Sequence, residues 1–64
     1  MKFHIGDKIR SMNPFSCNNY YIVVALEKLS YKCLINGSKN TKYIFYFNDE
    51  YYEKIIETSR SIRG

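Results

Sequence analysis

One histidine, His4, and two cysteines, Cys17 and Cys33, are the residues from which a nucleophile or a metal site would have to be built. A thiolate forms near neutral pH only beside a base, so a Cys–His pair is the route to covalent catalysis. The simpler reading of each residue is structural. His4 sits at the N-terminus, and Cys33 falls on the apolar face of a strand, where a thiol behaves as a small hydrophobe. For zinc, His4, Cys17 and Cys33 give three possible ligands without the close paired spacing of structural sites. Asp49, Glu50, Glu53 and Glu57 form an acidic cluster, but Tyr51, Tyr52 and Lys54 interleave it, which fits a solvated face or a helix start better than paired catalytic carboxylates. A Gly-rich phosphate loop, H-E-x-x-H and C-x-x-C are all missing. The expectation is a non-catalytic protein without cofactor, metal or small-molecule substrate.

Basic and aromatic residues carry the stronger signal. Ten Lys and Arg stand against six Asp and Glu, a net charge of +4 with pI near 9.2, and positive excess favours polyanions. Lys2, Lys8 and Arg10 fall near the first strand, Lys39 and Lys42 at the third turn, and Arg60 and Arg63 at the end. Tyr20, Tyr21, Tyr43 and Tyr46 supply rings able to stack on unpaired bases or on a partner's side chains. A bias towards Lys, Asn, Ile and Tyr also arises from AT-rich coding sequence, so composition alone does not separate recognition from background.

These residues need a scaffold, and 64 residues enclose one modest core. A chain of this size buries only about 60% of the surface its unfolded form exposes. Seven Tyr and four Phe make that burial efficient, because a ring hides a large area while a hydroxyl stays wet at the rim. The longest apolar run, Tyr20 to Leu26, is seven residues, against the roughly 20 that span a bilayer. Asp7 interrupts the N-terminus before any signal-like apolar run, and two cysteines fit reduced thiols, so the expected location is the cytoplasm.

Lys8 to Met12 reads as a first strand after the Gly6-Asp7 turn, and Asn13 to Asn19, with Pro14, as a surface loop. Tyr20 to Leu26 concentrates aromatic and β-branched residues and is the central strand. Glu27 to Ser30 turns the chain, and Tyr31 to Ile35 alternates Tyr31, Cys33 and Ile35 on one face with Lys32 on the other. Asn36-Gly37 is a hairpin signal, followed by a strand at Lys42 to Phe47. The last segment admits two readings. A helix from Asp49 would place Tyr52, Ile55, Ile56 and Ile62 on a stripe; a 3₁₀ turn at Asp49 to Tyr51 would lead instead into a strand at Glu53 to Ile56.

The run Phe3-x-Ile5-Gly6-Asp7-Lys8-Ile9-Arg10, an aromatic hairpin, and Asn48-Asp49-Glu50-Tyr51-Tyr52-Glu53-Lys54-Ile55 together resemble small SH3-like barrels. In that family a G-D-x-V/I-R strand opens the barrel and a 3₁₀ turn precedes the closing strand. The resemblance covers residues 3 to 56. It implies an all-β, five-stranded barrel over residues 1–56, free of exposed edges, with 57–64 as a loose tail. The expected function is nucleic-acid binding through Lys8, Arg10, Tyr20, Lys42, Tyr43 and Tyr46. The alternative is an inhibitor or adaptor of the phage or mobile-element type, docking on a host protein through exposed tyrosines and able to pair as a homodimer.

Overall fold

Tyr20–Leu26 is the strand on which the rest is assembled, because its aromatic and β-branched side chains pack well on a pleat and lose rotamer freedom in a helix. In the computed structural model, which describes residues 1–13, 15 and 18–56, this segment is β2, the middle member of a five-stranded antiparallel sheet. Its companions are β1 (Lys8–Ser11), β3 (Ser30–Ile35), β4 (Thr41–Phe45) and β5 (Tyr52–Lys54), in the order β4-β3-β2-β1-β5. A 3₁₀ helix, Tyr46–Tyr51, carries the chain from one edge of the sheet to the other. The two edge strands, β4 and β5, form no ladder with each other, so the sheet is not closed into a barrel and a seam remains between them.

The final segment follows the strand reading rather than the helical stripe. The 3₁₀ turn starts earlier than the sequence suggests, at Tyr46 instead of Asp49, and the closing strand is Tyr52–Lys54 instead of Glu53 to Ile56. Tyr46 and Phe47, expected at the end of β4, belong to the helix. The cause is tertiary: the Tyr46 amide donates to Leu29 O at 3.0 Å, and its ring stands edge-on to Tyr31 at 4.8 Å between centroids. Pro14, Ser16, Cys17, Ile62 and the expected tail at 57–64 lie outside the described residues.

Ile9, Tyr21, Val23, Tyr31, Cys33 and Ile44 project from four strands into one core, and Phe3 joins them from the N-terminal segment. Alternation along β3 matches the sequence reading, with Tyr31 and Cys33 buried and Lys32 outward. Along β2 it does not persist. Val23 pairs with Cys33 and Ala25 with Lys32, so Val24 is an extra, bulged residue. Beyond it Leu26 pairs with Tyr31 and shares its face, where simple alternation would have used Ala25. At the β3–β4 turn Asn36 (φ 54°) and Gly37 (φ 73°) both occupy the left-handed region, as expected of an Asn-Gly hairpin.

The Tyr31 hydroxyl ties the N-terminus to this core. It accepts the amides of Lys2 (2.9 Å) and Phe3 (3.1 Å) and donates to Asp49 Oδ2 at 2.8 Å, and the same carboxylate oxygen accepts the Lys2 amide at 3.1 Å. Burial pushes the Tyr31 phenol above its ordinary pKa.

Cys33 is a buried free thiol, pushed up to about 11 by desolvation against a smaller opposing pull from Lys42. In a Cys17→Ser background, a thiol reagent at pH 8 is therefore expected to leave Cys33 unmodified in the native protein and to label it promptly in denaturant. Equal labelling rates in the two conditions would contradict that burial.

Candidate functional site

Charge is unevenly distributed in the fold. From Lys28 to Asn48 the chain carries Lys28, Lys32, Lys39 and Lys42 and not one acidic residue. That stretch comprises β3, β4, their hairpin turn and the start of the 3₁₀ helix. Among the described residues, none of these four lysines makes an ion pair. Two of the acids, Asp7 before β1 and Glu53 in β5, meet cations at the other end of the sheet order. Arg10 Nε lies 2.6 Å from Glu53 Oε2, and Lys54 Nζ lies 3.4 Å from Asp7 Oδ1. Lys2 Nζ donates to the carbonyls of Tyr52 and Asp49. Asp7 also accepts the His4 amide at 2.9 Å, and this bond, assisted by Lys54, holds its carboxyl below the usual range. Three of the four lysines without an ion pair among the described residues, Lys32, Lys39 and Lys42, thus sit on the β3–β4 hairpin, and Lys28 lies in the turn before it.

The seam between the sheet edges is a groove of about 680 Å³ beside that hairpin. One wall is β4, through Lys42 to Phe45; the other is formed by Ser11 to Asn13 at the end of β1, with Asn48 and Glu50 to Tyr52. Within that second wall Met12 and Tyr51 are held together by the Met12 amide, which donates to Tyr51 O at 2.9 Å. Tyr43 and Tyr51 keep 54% and 60% of their surface exposed, so more than half of each residue is open to solvent. Phe45 is about half exposed and stacks almost parallel on Phe47, with centroids 5.2 Å apart. The groove is thus aromatic on both sides, with Lys42 as its cation and Glu50 as its anion.

The six residues singled out from sequence do not form one cluster. Lys42 and Tyr43 line the groove. Lys8, Arg10 and Tyr20 are brought together elsewhere, on the outer face of β1 and β2: Arg10 pairs with Tyr20 in register, and Lys8 Nζ stands 5.1 Å from the Tyr20 ring centroid. Tyr46 is half-buried, edge-on to Tyr31, and its hydroxyl donates to Glu27 O, so ring and hydroxyl are engaged within the fold. Period-two alternation explains part of this division. Tyr43 pairs with the outward Lys32, whereas Lys42 pairs with the buried Cys33, so adjacent residues of β4 point to opposite faces and meet at the groove because β4 is an edge.

Sequence reasoning passed over Met12, Phe45 and Tyr51 as site residues. Their clue was weak: each is an apolar or aromatic residue near the end of a short element, where burial is the default assumption. The acidic cluster divides as well. Asp49 serves the Tyr31 network, Glu53 pairs with Arg10, Glu50 lines the groove, and Glu57 lies outside the described residues. Among the described residues no three His, Cys, Asp or Glu side chains gather as a metal site would require, and no helix is long and apolar enough to cross a membrane. No known protein family, curated protein or solved structure matches this chain.

Proposed function

We propose that this protein is a cytoplasmic, non-catalytic nucleic-acid-binding module of the SH3-like barrel class, and that its contact surface is the β3–β4 hairpin with the adjoining groove. The barrel assignment draws support from the strand order β4-β3-β2-β1-β5 and from the 3₁₀ helix immediately before the last strand, with the groove marking where the circuit is incomplete. The observation that carries the functional reading is the acid-free segment Lys28 to Asn48, whose four lysines find no carboxylate in the described fold while exposed rings stand beside them. Phosphates neutralised by such lysines release counterions, which drives association and makes it salt-dependent. Lys8, Arg10 and Tyr20 form an accessory patch, weakened by the Arg10–Glu53 ion pair.

The test is a titration of a labelled mixed-sequence oligonucleotide at two salt concentrations, for the parent protein and for Lys39→Glu plus Lys42→Glu. Binding is expected to weaken steeply with salt in the parent. In the variant it should weaken at every salt concentration, with the slope of log K against log salt reduced by about one for each phosphate no longer neutralised. An unchanged affinity in the double variant would remove the hairpin from consideration.

A second reading rests on β4 being an unpaired edge with aromatic neighbours, the kind of surface to which an extended partner strand adds. In that case the protein is an adaptor or inhibitor of the phage type, or pairs with a second copy of itself, and its binding responds little to salt.

A further inference from the structure

We infer that the groove between β4 and the 3₁₀ helix accepts an unpaired nucleic-acid strand, with bases stacked on Tyr43 and Tyr51, in preference to a duplex. The inference rests on the nucleic-acid reading above and goes beyond it by assigning the form of nucleic acid and the residues that select it. Two observations combine here. Charge complementarity comes from Lys42 in the groove wall and from Lys39 and Lys32 on the same hairpin, none of them in an ion pair among the described residues. The rings supply the selection. Tyr43 and Tyr51 occupy opposite walls, both more than half exposed, and the lining carries a single carboxylate, Glu50.

A paired base offers its faces to its neighbours in the helix stack and so has none for a protein ring, whereas an unpaired base does; aromatic platforms beside a cationic track are therefore features of single-strand binding. Duplex recognition uses phosphates and groove edges, for which a stacking ring has no role. Stacking is indifferent to base identity, so the expected sequence preference is slight.

The decisive measurement is anisotropy at low salt with a 12-nucleotide mixed-sequence single-stranded DNA and with its duplex, for the parent protein, Tyr51→Ala, Tyr51→Phe and Tyr43→Ala. Because both tyrosines are largely exposed, these variants are expected to melt like the parent, which circular dichroism checks. The single strand should bind more tightly than the duplex. Each alanine variant should lose about five- to a hundred-fold in single-strand affinity with little change for the duplex, and Tyr51→Phe, which keeps the ring, should retain it. Equal or tighter duplex binding, or single-strand affinity indifferent to Tyr51→Ala, would overturn the inference while leaving the basic hairpin as the contact surface. Absence of binding to both oligonucleotides would overturn the nucleic-acid reading as well, leaving the edge of β4 to a polypeptide partner.

Discussion

Tyr31→Ala is expected to remove a large share of the protein's folding stability. Tyr31 is fully buried, packs against Phe3 and Tyr46, and its hydroxyl makes three of the five hydrogen bonds that hold the first residues to Asp49. Removing a buried aromatic ring costs about 3–5 kcal/mol through the forfeited transfer energy and the cavity left behind. A domain of 64 residues has roughly 3–10 kcal/mol of stability in total, so the variant should lose a large share of it. Tyr31→Phe separates the hydroxyl from the ring. It keeps the packing and leaves the amides of Lys2 and Phe3 without their shared acceptor, for an expected loss of about 1–3 kcal/mol. Urea denaturation followed by tyrosine fluorescence or circular dichroism reads both. A Tyr31→Phe variant as stable as the parent would mean that the network contributes nothing.

Phe3→Ala should be nearly as damaging, although the residue is third in the chain. A position so close to a terminus is ordinarily frayed and tolerant. Here Phe3 retains 1% of its surface, its ring lies 5.6 Å from that of Tyr31, and its amide is bonded to the Tyr31 hydroxyl. The expected cost is again about 3–5 kcal/mol, read from the same denaturation curves. Met1 is exposed, so Met1→Ala serves as the control and should change stability by less than about 0.5 kcal/mol. If Phe3→Ala behaved like that control, the N-terminal strap would not be part of the folded core.

The two variants share a cause. Both act on the join between the N-terminal segment and the 3₁₀ helix, and Asp49 supplies the helix's side of it. The same helix contributes Glu50 and Tyr51 to the groove wall. Loss of the Tyr31–Asp49 bond is therefore expected to loosen the site as well as the core, so binding variants are best placed at the exposed Tyr43 and Tyr51, away from that network.

Much of the scaffold was legible in the residues. The clustering of Tyr, Ile and Val at Tyr20–Leu26 specified a strand because those side chains favour a pleated surface, and the Asn-Gly pair specified a hairpin because it reaches positive φ at little cost. Alternation at Tyr31–Ile35 assigned the inner face of β3 because a period of two admits one solution when one face is buried. Tyr20 to Leu26 lacks that constraint, since every residue in it is apolar or aromatic, and the Val24 bulge that turns Leu26 to the Tyr31 face left no trace in composition.

The functional surface was less legible. Residue types indicated a basic, aromatic protein, but which lysines keep their charge unmatched depends on what lies across a strand. Arg10 meets Glu53 and Lys54 meets Asp7 at sequence separations that no local pattern reveals, while the lysines of β3 and β4 meet no acid among the described residues. Tyr46 and Tyr51 illustrate the same limit. They lie in one short helix, yet one packs on Tyr31 and the other opens into the groove. Local propensity acts through neighbours in the chain and so determined the strands and turns of this protein. Burial, ion pairing and the open seam between β4 and β5 depend on residues far apart in sequence, and they were settled by how the sheet brings its edges together.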